Sequence, residues 1–172
     1  MRIVVCVKHV PDMQSERRFE GGRLVRGEDD VLNELDENAI EAAVQLKESE
    51  EDAGREAEVV ALTMGPEDAE DSLMRALQMG ADRAFIVSDE FLEGSDVITT
   101  ASVLSVAIAK IAEECGPVDL VITGMASLDA MTSMLPAALA AKAHMPLLGL
   151  ARSLSVEDGA VTIERAVDGY TE

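Results

Sequence analysis

The 172-residue chain is 48% hydrophobic and carries a formal net charge of −20, from 34 acidic residues against 14 lysines and arginines. That composition supports a folded domain with a sizeable core and excludes intrinsic disorder. It also excludes nucleic-acid binding, which needs a basic footprint, and no apolar run reaches the about 18 residues of a membrane-spanning helix.

Strand and helix patterns alternate along the chain. Residues 2–7 form a continuous apolar run, as expected of a strand buried on both faces. The N-terminus has no small-residue cleavage site and reads as this first strand, not as a signal peptide. Residues 11–30 are polar and irregular, with Gly21, Gly22 and Gly27 as turn signals and room for a short hairpin. A helix follows from Asp36 or Glu37 to about Glu51, with Ile40, Ala43, Val44 and Leu46 near one face and Gly54 as its stop. Residues 58–64 read as a second buried strand. Pro66 then suits the first turn of a helix that runs to Met79, buries Ala69, Leu73, Ala76 and Leu77, and ends at Gly80.

Residues 84–87 are the third strand. A long helix spans about 96–114 with Ser95 as N-cap, and Gly116-Pro117 ends it. Residues 118–123 are the fourth strand, and residues 131–143 an alanine-rich helix. Residues 147–155 and 160–167 then read as two strands joined by a turn at Asp158-Gly159. The order βαβαβαβ with short connections implies an α/β fold: a doubly wound parallel sheet covered by helices on both faces, with a C-terminal antiparallel hairpin. The whole of residues 1–172 reads as a single domain.

Aromatic residues make up 2% of the chain and Trp is absent, so aliphatic residues and the nine methionines must build the core. Residues 28–71 hold 17 of the acids with only Lys47 and Arg55 as bases. Such a stretch reads either as a solvated face or as a docking surface for a basic partner. Cys6 and Cys115 form no CxxC motif and read as two buried thiols in a reducing cytoplasm.

The usual catalytic signatures are missing. There is no GxGxxG after the first strand and no GxxxxGK[ST], so neither a Rossmann site nor a P-loop is supported. There is no GxSxG elbow. His9 and His144 lie far apart with no ligand-spaced neighbours, which argues against zinc and leaves each as a boundary residue. No catalytic residue and no metal ligand is therefore assigned.

Strand ends remain. In a parallel sheet, Cys6 with Val7 and Lys8, the 63–66 segment with Met64, and Gly124 all lie at one edge, and an order of 3-2-1-4-5 places the first and fourth strands at the topological switch point. The segment from Gly124 to the alanine-rich helix is a loop of small residues opening a helix N-terminus, where free N–H groups and the helix dipole favour an anion such as phosphate. Around Asp129, the backbone of Met131, Thr132, Ser133, Met134 and Leu135 can aim N–H groups at a phosphate, with hydroxyls from Thr132 and Ser133. Asp129 itself must then face a hydroxyl, a backbone amide or water, and Asp129 or Thr132 also suits an N-cap. Asn33 either caps a turn or offers a donor and acceptors to an adenine edge. As a loop amide it is expected to contribute little to fold stability.

Six segments carry a resemblance: VVCVKHVPD at 4–12, VLNELDENAIEAAVQLKE at 31–48, LTMGP at 62–66, ALQMGADRAFIVSD at 76–89, GSDVITTASVLS at 94–105 and DLVITG at 119–124. In this order the chain resembles the β subunits of electron-transfer flavoproteins, including the FixA-type proteins. The resemblance implies an adenine-nucleotide α-hydrolase-like fold and a heterodimer with an α subunit. It also implies electron transfer from acyl-CoA or other flavin dehydrogenases through FAD, in the cytoplasm and without substrate turnover by this chain. It implies a structural AMP, replaced by a second FAD in electron-bifurcating members. By the same resemblance Cys6, Asn33 and Met64 fall at the adenine, and Asp129 and Met131–Leu135 at the phosphate. A D-x-x-T-G-Q-type loop, frequent in the family, is replaced here by Asp129-Ala-Met-Thr-Ser-Met-Leu-Pro136, where Thr132 and Ser133 stand in for part of the lost polar contacts. ERAVDGYTE at 164–172 resembles the start of the family's ERExDGG signature, so the chain reads as the nucleotide-binding core without the partner-binding extension. A stand-alone adenine-nucleotide module of universal-stress type is the alternative; it would form a homodimer and have no α partner. An ATP-cleaving enzyme of the same fold is disfavoured by the absence of an SGGxDS-type loop.

Overall fold

The computed structural model describes residues 1–27 and 29–172, without the side chain of Val167. In chain order the elements are β1 (Arg2–Cys6), β2 (His9–Pro11), β3 (Phe19–Glu20), β4 (Arg23–Leu24), β5 (Asp30–Leu32), α1 (Glu34–Asp52), β6 (Glu58–Met64), α2 (Glu70–Gln78) and β7 (Arg83–Val87). After these come α3 (Val97–Cys115), β8 (Leu120–Thr123), α4 (Leu135–Ala143), β9 (Ser153–Glu157), β10 (Ala160–Glu164), β11 (Ala166–Val167) and β12 (Tyr170–Thr171).

The central sheet is parallel, in the order β7-β6-β1-β8. Numbered among the parallel strands alone this is 3-2-1-4, and the order reverses between β1 and β8. Because side chains alternate along a strand, β1 divides the core. Ile3 and Val5 pack with Ile40 and Ala43 of α1 and Leu73 and Ala76 of α2. Val4 and Cys6 pack with Leu104, Ile108 and Ile111 of α3 and Leu139 of α4. Ile3, Val4 and Val5 are fully buried, each worth roughly 1.5–3 kcal/mol relative to exposure. The two helical layers on opposite faces make the sheet doubly wound, as the unbroken apolar run of β1 implies.

Several boundaries differ from the sequence expectation, each for a local reason. Helix α1 begins at Glu34, and Glu34, Asp36 and Glu37 place acids in its first turn, where the helix dipole favours them. Asp96, not Ser95, caps α3: its carboxylate accepts from the Thr99 N–H at 2.7 Å, while the Ser95 hydroxyl donates to the Leu92 carbonyl. Gly54 and Gly80 take positive φ just past α1 and α2, as expected of C′ glycines. The segment at 11–30 forms two small antiparallel pairs, β2 with β5 and β3 with β4; Glu28 within it lies outside the described residues. Residues 147–150 are not a strand; the hairpin starts at Ser153 and pairs β9 with β10 apart from the main sheet. A fifth parallel strand is therefore absent among the described residues. In the same residues no helix is long and apolar enough to cross a membrane.

Candidate nucleotide site

The pairing register sets Cys6 opposite both Leu62 and Thr123, so the carboxyl ends of β1, β6 and β8 meet along one edge at the point where the strand order reverses. Asp36, buried in the first turn of α1, ties that edge together. Its Oδ2 accepts the backbone N–H of Lys8 at 2.8 Å. Burial pushes its carboxyl up to about 6, against the opposing pull of hydrogen bonds from the Asn33 amide and the N–H groups of Lys8 and Gly124 and of the Lys8 charge. Gly124 continues β8 directly over this carboxylate, where no side chain fits.

The loop after Gly124 is braced from outside the strand. Asn33 is fully buried at the entry to α1 and does not cap the helix with its side chain. Its Nδ2 donates to the Ala126 carbonyl and its Oδ1 accepts from the Leu128 N–H, both at 3.0 Å. Lys8 Nζ donates to the two carboxylate oxygens of Asp129 at 3.0 and 2.9 Å and to the Ser127 hydroxyl at 3.4 Å. Arg26 Nη2 donates to the same Asp129 carboxylate, and Arg17 Nη2 to the Leu128 carbonyl at 3.1 Å. Burial alone would raise the Asp129 carboxyl; the hydrogen bonds from Arg26, Ser127 and Lys8, with the Lys8 charge, overcome it and hold the group at about 2.

Beyond Asp129 the backbone turns sharply. The Ser127 carbonyl accepts from the N–H groups of Ala130 and Met131. Met131 and Ser133 both adopt left-handed φ, 52° and 51°, which costs a residue with a Cβ about 1 kcal/mol or more. The N–H groups of Thr132, Ser133 and Leu135 have no partner among the described residues. They stand at the start of α4, whose N-cap, Met134, supplies no side-chain acceptor. Unpartnered N–H groups, left-handed backbone and a helix dipole together are features suited to an anion.

The expected residues divide into three groups. Cys6 and Met64 are brought together, but both side chains pack in the α3/α4 layer. The Cys6 thiol is pushed up to about 12, first by burial and then by the Asp36 charge, so it is neutral and unreactive at neutral pH. Cys115, the other thiol expected to be buried, is only half-buried at the last residue of α3. Asn33 lies on the α1 side, and its amide grips the loop instead of facing an open edge; the expectation that it contributes little to stability does not fit its burial. Residues 131–134 are exposed past the strand ends. Helix α4 starts at Leu135, four residues later than the alanine pattern suggests, and neither Asp129 nor Thr132 is its N-cap. Asp129 does meet the Ser127 hydroxyl, yet its main partners are two cations. His9 is buried with Nδ1 2.7 Å from the Ser72 hydroxyl, and His144 is the left-handed C-cap of α4; both serve the scaffold.

Sequence reasoning placed Lys8 at this edge without giving it a role, and overlooked Arg17, Arg26 and Asp36 as parts of this region. The available signal was charge: Lys8 ends the apolar run at 3–7, and Arg26 stands two residues before the acidic run at 28–30. A cavity of about 240 Å³ lies within the segment at 11–30, lined by Pro11, Arg17 and Asp29 among others. An apolar groove of about 530 Å³ lies between β7 and α3, lined by Phe85, Val87 and Val106.

Comparison with known proteins gives this arrangement a context. Residues 22–172 match the electron transfer flavoprotein domain. The chain is 40% identical to the electron transfer flavoprotein subunit beta of Mycobacterium leprae (strain TN), over 96% of this chain and 62% of that protein. It is 35% identical to the FixA protein of Sinorhizobium fredii, over 99% of this chain and 60% of that protein. It is also 35% identical to the caffeyl-CoA reductase-Etf complex subunit CarD of Acetobacterium woodii, over 99% of this chain and 63% of that protein. The chain thus spans about three-fifths of the length of these curated relatives. A domain match over most of the chain and consistent identity to one type of subunit lead to the same conclusion: the chain belongs to the electron transfer flavoprotein family, as a protein of the β-subunit and FixA type.

Proposed function

We propose that this chain acts as an electron-transfer flavoprotein β subunit, holding an adenine nucleotide at the carboxyl edge of its sheet and pairing with an FAD-bearing α subunit. One observation carries the nucleotide reading: the unpartnered N–H groups of Thr132, Ser133 and Leu135 at the start of α4, on a loop anchored by Asn33 beside the ends of β1 and β8. This donor set fits a phosphate group. The proposed contacts are Cys6, Asn33 and Met64 around the adenine, Gly124 at the strand end between, and the Asp129 region with Met131, Thr132, Ser133, Met134 and Leu135 around the phosphate. Asn33 and Cys6 serve the adenine by positioning, since the Asn33 amide and backbone N–H are committed and the Cys6 thiol is buried.

The nucleotide is AMP as a structural group, or FAD in the same place in a bifurcating member. A flavin, where bound, supplies the one-electron and two-electron chemistry, while the protein supplies binding, orientation and electrostatics. The chain itself turns over no substrate in this reading. It acts as one nucleotide-binding domain in the cytoplasm, with electrons coming from acyl-CoA or other flavin dehydrogenases through the complex. The names of the relatives, among them a subunit of a reductase-Etf complex, support the α partner.

Co-expression with an α subunit from the same genome, followed by size exclusion, tests the pairing. A stable one-to-one complex at micromolar concentration is expected. A homodimer that ignores the α subunit would favour the universal-stress-type alternative.

A further inference from the structure

We propose that Arg26 is a phosphate-contacting, specificity-determining residue of the nucleotide site, and that Asp129 is a positioning residue that acts through it. The inference rests on the nucleotide reading above and names side chains on which that reading does not depend.

Asp129 cannot meet a phosphate directly. Its side chain is 1% exposed and its oxygens are occupied by Lys8, Arg26 and Ser127. The cations it holds are different: the Lys8 side chain is 40% exposed and that of Arg26 37%. Lys8 has three N–H donors, and they go to the two Asp129 oxygens and the Ser127 hydroxyl. Arg26 has five donors and spends Nη2 on Asp129 and Nη1 on the His9 carbonyl at 3.4 Å. Its Nε has no partner among the described residues. A planar guanidinium with spare, partly exposed donors matches the geometry of a phosphate.

Charge supports the same assignment. The chain carries −20 overall, yet Lys8, Arg17 and Arg26 converge on residues 127–129, Lys8 and Arg26 on the Asp129 carboxylate and Arg17 on the Leu128 carbonyl. Three cations of an acidic protein are thus gathered on this loop, three residues before the unpartnered N–H of Thr132. A carboxylate buried between cations adds little net stability. What it does is fix a long, flexible side chain in advance, which removes an ordering cost from ligand binding.

Calorimetric titration with AMP and with adenosine, which lacks the phosphate, tests the proposal on the wild-type protein and on R26A, R26K, D129N and the double variant R26A/D129N. R26A is expected to weaken AMP about 10- to 100-fold, the range of a charge-assisted hydrogen bond, and to leave adenosine unchanged. R26K should recover part of the loss, because it keeps the charge without the fork. D129N should weaken AMP in the wild-type background and have no further effect on R26A, because it acts through Arg26. Equal AMP affinity for R26A and wild type, or AMP and adenosine falling together, would overturn the proposal while leaving the nucleotide reading intact. A wild-type protein that binds neither compound would overturn both.

Discussion

Gly124 lies against Asp36 so closely that a Cβ at position 124 would stand 2.2 Å from Asp36 Oδ1. The Leu35 carbonyl oxygen would be 2.9 Å away. The end of β8 and the first turn of α1 are thereby locked at the switch point, with a buried carboxylate between them. Gly124→Ala must push these elements apart. A loss of about 3 kcal/mol is expected, at the upper end of overpacking effects, because backbone blocks the new methyl as well as a side chain. Urea unfolding measures it; a loss below about 1 kcal/mol would mean that the contact relaxes freely.

Asp36 should give the fold a particular pH dependence. Its carboxyl is raised from 3.8 to about 6 in the folded protein, chiefly by burial. The folded state then holds the proton more tightly than the unfolded one, so this group's contribution is fully present below about pH 4 and is lost as pH rises through about 6. At about 1.4 kcal/mol per pH unit the loss is about 3 kcal/mol. Asp129 has the opposite sign: it is lowered to about 2, and its contribution disappears as pH falls from about 4 toward 2. Comparing wild type with D36N isolates the first effect. The stability difference between the two should move by about 3 kcal/mol between pH 4 and pH 7, in favour of D36N at the higher pH. A difference that does not change with pH contradicts the assignment.

Asn33→Ala should cost about 2 kcal/mol of stability, since it leaves the Leu128 N–H and the Ala126 carbonyl without their buried partner. The same change should release the loop at 126–128 and raise its amide exchange rate. Hydrogen exchange at Leu128 reads this directly, and unchanged protection there would show that the loop stands without Asn33.

Ser133 sits at φ 51°, where glycine is unstrained. Ser133→Gly should leave stability unchanged or raise it by about 0.5–1 kcal/mol, as measured by thermal unfolding. Ser133→Pro should be clearly destabilising, because proline requires φ near −65°. The proline variant thus fails as a clean test of the backbone donor, whereas Ser133→Ala keeps the N–H and removes only the hydroxyl. Destabilisation by Ser133→Gly would show that the hydroxyl matters more than the strain.

The alternation of strand and helix was legible because it depends on long, repeated patterns, whereas the fifth strand of the expected order is absent among the described residues. The unbroken apolar runs of β1 and β6, with glycines at 54, 80 and 116, leave little freedom in the alternation of strand and helix. The helices facing each side follow from that alternation. The start of α4 was not legible: alanine and methionine are compatible with helix from residue 131, and only the left-handed φ values at Met131 and Ser133 show the backbone turning first. Leu147–Leu150 reads as strand by hydrophobicity but lacks pairing. The edge location of the site followed from topology, while its charged frame did not. Lys8, Arg26 and Asp129 are separated by up to 121 residues, and no periodicity links Lys8 or Arg26 to the loop after Gly124 across the sheet edge.

The most direct test of the account is the nucleotide itself. The purified protein is denatured and the released small molecules are identified by mass and quantified against the chain. The account predicts close to one adenine nucleotide per chain, AMP, or FAD if the protein is of the bifurcating type. A protein that releases neither, and takes up neither when supplied with them in solution, would contradict it.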